Sequence, residues 1–277
     1  MNEGRFPAPA KLNLFLHVVG RRPDGYHLLQ TVFRFLDHGD SIRLRVRPDG
    51  KIILQNPLPG VPAERDLCFR AASLLRAAAN CQLGVDIFLE KRLPMGGGLG
   101  GGSSDAATVL MALNRLWGLG LDRASLQHLG LKLGADVPVF VYGRNAFAEG
   151  VGEKLHPISL PPASYVVLIP PVEVSTAEIF AAPGLTRDTP EMKIPPLSGG
   201  CGHNDLEPVA VAAYPVIGEY LRWLGQFGDA RLTGSGSCVF AAFADRAEAE
   251  ACFNQRPSEI SGFVAEGLDV HPMYDES

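Results

Sequence analysis

The chain has 277 residues, of which 46% are hydrophobic and 20% are charged, and its net charge is −5. This length and composition suit one large or two moderate globular domains with a substantial core. An acidic chain is not expected to bind nucleic acid in general, because such proteins are basic overall, although a local positive patch can still bind an anionic small molecule.

The first third of the chain predicts antiparallel β structure. Alternating or continuous apolar residues indicate strands in three segments: 11–19, 28–36 and 42–46. Pro23-Asp24-Gly25 predicts a turn. Asp49-Gly50 predicts a hairpin that returns the chain through residues 52–54.

Helical and strand-like segments alternate in the remaining two thirds. Helices are predicted at 67–79, from 103 onward, at 125–133, 210–223 and 246–253, and strands at 85–89, 165–169 and 238–243. An α+β fold follows from helices interleaved with strands after a β-rich start. A proline-rich stretch at 156–163 predicts two domains, 1–157 and 158–277, and the proline- and glycine-rich segment 188–202 predicts a mobile loop.

The number and spacing of the cysteines indicate the cellular compartment. Five of them are scattered without a C-x-x-C pair, which predicts neither a disulfide framework nor a structural zinc site and favours a reducing environment. The first residues offer no signal-peptide core, and no apolar run reaches membrane-spanning length. We therefore expect a cytoplasmic protein with no membrane partner.

The most informative segment holds six glycines between Gly96 and Gly102, interrupted only by Leu99, and continues as Ser103-Ser104-Asp105 into a predicted helix. A backbone without Cβ atoms can fold tightly and present several N–H groups to one ligand. The helix adds unpaired donors and a partial positive charge at its N-terminus. The segment therefore predicts a phosphate site, with Ser103 as the N-cap of the helix.

Several kinds of glycine segment compete. A Walker-type loop needs a lysine after its last glycine, and none is present. A dinucleotide fingerprint matches formally at Gly96, Gly98 and Gly101, but the second strand that should end in an acid about 20 residues later is missing. A flexible linker is disfavoured, because Pro94 and the helix bracket the segment closely.

In the remaining alternative, serine follows the glycines. The string PMGGGLGGGSSDAA at 94–107 resembles the phosphate loop of the GHMP kinases, a superfamily of small-molecule kinases. Residues 9–31 resemble the N-terminal signature of one member, whose acceptor alcohol carries a cytidine diphosphate group, and residues 232–240 resemble the third motif of the family. The resemblance covers nearly the whole chain, with the motifs in the order of the family.

The resemblance implies a two-domain fold and an ATP-dependent kinase. The N-terminal domain would be similar to ribosomal protein S5 domain 2 and the C-terminal domain would be ferredoxin-like, with the active site in the cleft between them. ATP and Mg²⁺ are the implied cofactors. The partners would be ATP and a cytidine diphosphate sugar alcohol, with no nucleic acid and no obligate protein partner.

The resemblance also assigns residues. The ATP phosphates would lie against Pro94, Met95, Gly96, Gly97, Gly98, Leu99, Gly100, Gly101, Gly102, Ser103 and Ser104. Ser103 or Ser104 would help hold Mg²⁺. Lys11 and Asp136 would be catalytic, the acid orienting the hydroxyl or accepting its proton and the cation offsetting negative charge in the transition state. The residues alone leave other roles open: a solvated strand lysine for Lys11 and an acid at a helix-to-strand turn for Asp136.

The implied substrate contacts are Asn13, Tyr26, His27, Thr176 and Phe180. Tyr26 would stack on the cytosine and His27 would hydrogen-bond to its edge. For Phe180, a place in the core of a helix is equally compatible with the sequence. The alternative acceptor is another small alcohol such as homoserine or mevalonate, which has no pyrimidine for Tyr26 to stack on.

One departure and one unassigned stretch remain. Asp66 stands where the family often carries asparagine, which affects the adenine side of the site. The string at 203–206 (HNDL) resembles a family segment near the substrate, without an implied role.

Overall fold

The computed structural model describes residues 2–193 and 202–274. Its strands are β1 (Glu3–Arg21), β2 (His27–Arg47), β3 (Ile52–Leu54), β4 (Gly84–Glu90), β5 (Ala146–Glu149), β6 (Lys154–Pro157), β7 (Ser164–Ile169), β8 (Arg231–Leu232), β9 (Val239–Phe243) and β10 (Ser261–Leu268). Its α-helices are α1 (Leu67–Ala78), α2 (Gly101–Leu116), α3 (Arg123–Leu131), α4 (Val137–Tyr142), α5 (Thr176–Ala181), α6 (Glu207–Ala213), α7 (Pro215–Leu224) and α8 (Arg246–Phe253). The predicted α+β class is confirmed.

The long antiparallel pair of β1 and β2 forms the centre of the N-terminal half. The segments predicted as separate strands at 28–36 and 42–46 are one continuous strand, β2, which pairs with β1 along most of its length. Gly39 allows this continuity, since a Cβ atom there would lie 2.2 Å from the carbonyl oxygen of Ala8 on the facing strand. A register shift between Pro9 and Lys11 then carries the pairing past this close approach.

The predicted hairpin at Asp49-Gly50 is wrong in its partner. The turn is present, with Gly50 at φ +71°. However, β3 pairs with β4 in parallel, and β4 lies between β3 and β2. β4 pairs with β2 over all of Gly84–Glu90, whereas β3 has only three residues, so the longer strand occupies the edge of β2.

Four helices, α1 to α4, cover one face of this sheet. Since α2 buries nearly all residues from Ser104 to Leu113, it is a central helix that contacts the sheet, α1 and α4. The apolar segment 139–142, expected to follow a helix-to-strand turn, is instead part of α4, whose N-cap position is Asp136. Pro138 in the first turn suits a helix start, because the missing N–H would have no intrahelical partner there.

The C-terminal half packs α5 to α8 against the strands β7 to β10. The predicted helix at 210–223 is interrupted, because Pro215 has no N–H and restricts Tyr214 to an extended conformation, so the chain forms α6 and α7 instead. The sequence did not predict β10, which pairs with β7 and then with β2 through Gly267 and Leu268. One sheet therefore connects both halves, and the boundary at 157/158 stays a prediction.

The predicted mobile loop at 188–202 falls partly outside the described residues, which omit 194–201. Its described beginning is held to the strands: Thr189 donates to a carboxylate oxygen of Asp205 and to the carbonyl of Val18, and the Met192 N–H donates to the Gln30 side chain. No helix in the described ranges is long and apolar enough to cross a bilayer.

Candidate active site

A cavity of about 1020 Å³ lies where the two halves meet. Its wall includes residues of β1, β2 and α5, the glycine segment and the segment 234–236. The predicted site residues that line it are Lys11, Asn13, Tyr26, His27, Pro94, Met95, Gly96, Gly97, Gly98, Leu99, Gly100, Gly101, Gly102, Ser103, Asp136, Thr176 and Phe180. Ser104 is fully buried outside this lining.

The glycine segment ends in the first turn of α2. Gly96, Gly98 and Gly100 have φ values of +65°, +74° and +71°, a left-handed conformation that favours glycine. The prediction that Ser103 is the N-cap is wrong, because Gly100 occupies that position and α2 begins at Gly101. The helix starts earlier because the positive φ of Gly100 already closes the turn, and the Ser103 side chain stays free to line the cavity.

Lys11 and Asp136 form an ion pair on the cavity wall, with 3.3 Å between Nζ and Oδ2. The Lys11 side chain is 3% exposed and that of Asp136 is 35% exposed. The Lys11 ammonium also donates to Asn13 Oδ1 at 2.5 Å and to the Gly98 carbonyl at 2.9 Å, so the buried charge has two hydrogen-bond acceptors besides its ion-pair partner. The alternative that Lys11 is a solvated lysine on a strand is therefore wrong.

Gly100 makes room for this lysine. A Cβ atom at Gly100 would lie 3.0 Å from Lys11 Cε and 2.9 Å from Phe140 Cζ. The glycine segment therefore has two roles. Its backbone faces the cavity, and the missing Cβ at Gly100 leaves space for the Lys11 side chain.

Asn13 is buried between Lys11 and Thr31. Its amide oxygen accepts from Lys11, and its Nδ2 donates to Thr31 Oγ1 at 2.9 Å. Asn13, which is predicted to contact the substrate, therefore also orients the Lys11 side chain.

The two glycine-rich segments of the chain touch each other. The N–H groups of Ser237 and Cys238 donate to the carbonyls of Gly96 and Gly97, both at 3.2 Å. A Cβ atom at Gly98 would lie 2.1 Å from the carbonyl oxygen of Thr233. Two segments that are far apart in sequence therefore lie side by side in the cavity wall.

Aromatic side chains form another part of the cavity wall. Tyr26 is 63% exposed. The rings of His27 and Phe180 stack with 5.0 Å between their centroids and 29° between their planes. Phe180 packs against the core of the C-terminal half and also lines the cavity, so its contact with substrate stays a prediction. The Thr176 hydroxyl hydrogen-bonds to that of Ser235 at 2.7 Å, which links α5 to the segment 234–236.

Sequence reasoning missed a charged cluster beside the glycine segment. Lys91 Nζ lies 2.6 Å from Asp40 Oδ2 and 2.8 Å from Asp105 Oδ2. Burial raises the pKa of Asp105 to about 7; the positive charge of Lys91 opposes this shift and the negative charge of Asp40 adds to it. The acid of the Ser103-Ser104-Asp105 string was the available signal, but its partners come from distant strands. Nearby, Asp66 accepts from two N–H groups at the start of α1 and lines the cavity.

Comparisons of the sequence with known proteins identify one family. The sequence model for the "GHMP kinases N terminal domain" matches residues 66–144, and that for the "GHMP kinases C terminal" matches residues 195–260. A 4-diphosphocytidyl-2-C-methyl-D-erythritol kinase of Thiobacillus denitrificans is 64% identical over 98% of this chain and 97% of its own. The enzyme of the same name from Nitrosospira multiformis is 61% identical over 97% and 92%.

Solved structures agree. A crystal structure of 4-(cytidine 5'-diphospho)-2C-methyl-D-erythritol kinase matches with a TM-score of 0.80 and 35% identity, over 95% of this chain and 99% of its own. The homoserine kinase of Cytophaga hutchinsonii matches with a TM-score of 0.64 but 16% identity, over 98% and 96%, and so shares the fold alone. Because the chain matches the GHMP kinases, the alternative of a dinucleotide-binding protein is wrong.

Proposed function

The chain belongs to the GHMP kinase family, among its 4-diphosphocytidyl-2-C-methyl-D-erythritol kinases, and from this premise we propose how it acts. It is a phosphotransferase with an alcohol acceptor. It transfers the γ-phosphoryl group of ATP to the 2-hydroxyl of 4-diphosphocytidyl-2-C-methyl-D-erythritol, a step of isoprenoid precursor synthesis. The observation that carries the proposal is the Lys11–Asp136 pair, 3.3 Å apart on a cavity that also holds the glycine segment.

The phosphates of ATP lie against residues 94–103, and Ser104, which is buried behind the lining, supports this segment from within α2. Three alternate left-handed glycines, Gly96, Gly98 and Gly100, turn the backbone along the cavity wall, and the first N–H groups of α2 have no intrahelical acceptor. Unpaired amide donors and the positive end of the helix dipole together favour an anion at this position.

Asp136 receives the acceptor hydroxyl. Its partial exposure on the cavity wall lets a substrate hydroxyl approach, and the Lys11 ammonium lies beside the carboxylate. As phosphoryl transfer proceeds, the hydroxyl proton passes to the Asp136 carboxylate, and the Lys11 ammonium offsets negative charge. The hydrogen bonds to Asn13 and to the Gly98 carbonyl hold the ammonium in place beside Asp136.

The cytosine ring lies among Tyr26, His27 and Phe180, with Thr176 as a further contact, and Asn13 contacts the substrate beside Lys11. Two aromatic side chains and an imidazole on the cavity wall supply faces for stacking and a polar edge for the base.

Mg²⁺ fits the site as an ion brought by the nucleotide. Within residues 2–193 and 202–274, no group of three or more His, Cys, Asp or Glu side chains could hold a metal ion. The Ser103 hydroxyl on the cavity wall would contribute one oxygen, with phosphate oxygens and water as the other ligands, a set that Mg²⁺ accepts. The ion would neutralise charge on the transferred phosphate. We place the reaction in the cytoplasm.

A competition among acceptors tests the proposal. The purified protein is incubated with Mg-ATP and either the cytidyl substrate, mevalonate or homoserine, and ³¹P NMR identifies the product. We expect transfer to the 2-hydroxyl of the cytidyl substrate, with kcat/KM at least about a hundredfold above that of the other two alcohols, because only this acceptor has a base to contact the aromatic side chains. A higher kcat/KM for mevalonate or homoserine would overturn the proposal.

A further inference from the structure

Arg187 lies outside the predicted site but is bound directly to one of its residues. Its Nε–H donates to Nε2 of His27 at 3.1 Å. Three of its four remaining N–H groups donate to backbone carbonyls, of Leu185 at 3.1 Å and of Phe180 and Ala182 at 3.0 and 2.9 Å. The guanidinium therefore closes the C-terminal end of α5 and fixes the direction of its Nε–H group toward His27.

This hydrogen bond determines which nitrogen of His27 carries the proton. An arginine does not lose its proton in a protein, so Nε2 of His27 must be the acceptor. A neutral imidazole has one N–H group, which then lies on Nδ1. Burial lowers the pKa of His27, and the positive charges of Arg187 and Arg21 lower it further, which keeps the ring neutral.

The occupied faces of the ring leave one polar group for a ligand. Phe180 covers one face of His27 and Arg187 occupies Nε2. Among the described residues, none accepts a hydrogen bond from Nδ1. Because His27 lines the cavity, its Nδ1–H is a donor that can meet the edge of a base.

We propose that Arg187 is a positioning residue that holds His27 as a hydrogen-bond donor, and that this donor selects cytosine over uracil. Position N3 accepts a hydrogen bond in cytosine and donates one in uracil. A fixed Nδ1–H therefore pairs with N3 of cytosine and leaves two donors opposed for uracil. The inference rests on the proposed function for its choice of substrate, but the state of His27 stands on the hydrogen bond alone.

The first experiment measures the tautomer without any substrate. Long-range ¹H–¹⁵N correlation spectra of the ¹⁵N-histidine-labelled protein, assigned with His27→Asn, should show His27 protonated at Nδ1. Arg187→Met keeps the length of the side chain without its donors, and should shift His27 toward the Nε2–H form. Protonation at Nε2 in the natural chain, or Nδ1–H retained in Arg187→Met, would overturn the proposal.

The second experiment measures selectivity. The ratio of kcat/KM for the cytidine and uridine forms of the substrate should fall by about tenfold in Arg187→Met, the worth of about one hydrogen bond. Arg187→Lys can still donate to Nε2 and should recover part of the ratio. If Arg187 only supports α5, both substrates weaken by the same factor and the unchanged ratio refutes the proposal. Were neither substrate phosphorylated by the natural chain, the proposed function would fail while the spectra still decide the tautomer.

Discussion

Asp136→Asn separates catalysis from binding, because the substitution removes a charge and a proton acceptor but keeps the shape of the side chain. At 3.3 Å from Lys11 and 35% exposed, the carboxylate interacts with the ammonium by about 1–5 kcal/mol for effective dielectric constants of roughly 80 to 20. Loss of the acceptor for the hydroxyl proton typically costs about 10²- to 10⁴-fold in rate. We therefore expect kcat to fall by about 10²- to 10⁴-fold.

Binding and folding should change little in this variant. Asp136 makes no capping hydrogen bond at the start of α4, and Lys11 keeps two other acceptors, so we expect a stability loss of about 1 kcal/mol. Steady-state kinetics at saturating substrates, together with titration of an ATP analogue, measures both effects. The matched control is Asp122→Asn, at the N-cap of α3, where asparagine caps equally well and activity should be unchanged. A loss of ATP affinity as large as the loss of kcat would refute the catalytic assignment.

The remaining predictions concern the loop, the charged cluster and the aromatic side chains of the cavity. Gly100→Ala should lower stability by about 1–3 kcal/mol and weaken ATP binding, because a φ of +71° is strained for alanine and its Cβ would crowd Phe140. The Asp105 carboxyl keeps a proton up to about pH 7 in the folded state and only to about pH 4 when unfolded, so the free energy of unfolding falls as pH rises between them. Asp105→Asn should remove that fall, measured by urea titration from pH 5 to 8. Phe180→Ala should raise KM for the cytidyl substrate by about tenfold through lost stacking and leave KM for ATP unchanged.

The first two of these predictions have matched control variants. Gly118→Ala imposes a similar strain, at φ +67°, with no atom within 4 Å, so it should lower stability without affecting ATP binding. For Asp86, burial raises the pKa but hydrogen bonds from Arg45, Gln55 and Arg47 lower it overall. Asp86→Asn should therefore cost stability at pH 8 and less below pH 4, the opposite of Asp105→Asn. Equal effects of Gly100→Ala and Gly118→Ala on ATP binding, a pH slope retained in Asp105→Asn, or a parallel rise of both KM values in Phe180→Ala would each contradict its prediction.

Local patterns predicted the elements whose cause is local. The alternation of Leu12, Leu14 and Leu16 gave β1, and the apolar stripe after the glycines gave α2, because burial of one face follows directly from residue spacing. The breaks at Tyr214-Pro215 and at Gly100 were also present in the sequence, as a proline inside a helical pattern and a glycine before a helix. Their consequences for the helix ends were missed.

Pairing between distant segments could not be predicted in the same way. The choice of β4 over β3 as the neighbour of β2 depends on the competing lengths of strands brought together by the whole fold. The ion pairs of Lys91 with Asp40 and Asp105 join three segments, and no local spacing marks them. The family resemblance supplied the predicted site residues, whereas the hydrogen bond from Arg187 to His27 could be found only in the folded structure.

The contact between the two glycine-rich segments has a consequence for how such a chain can be altered. Gly96 and Gly97 share backbone hydrogen bonds with Ser237 and Cys238, and the close approach at Gly98 leaves no space for a methyl group. Substitutions on the two sides are therefore coupled, and their energetic effects should not add in a double-mutant cycle. A chimaera that joins residues 1–157 of one relative to residues 158–277 of another takes the two segments from different parents, so one segment would have to be exchanged as well to keep a working cavity.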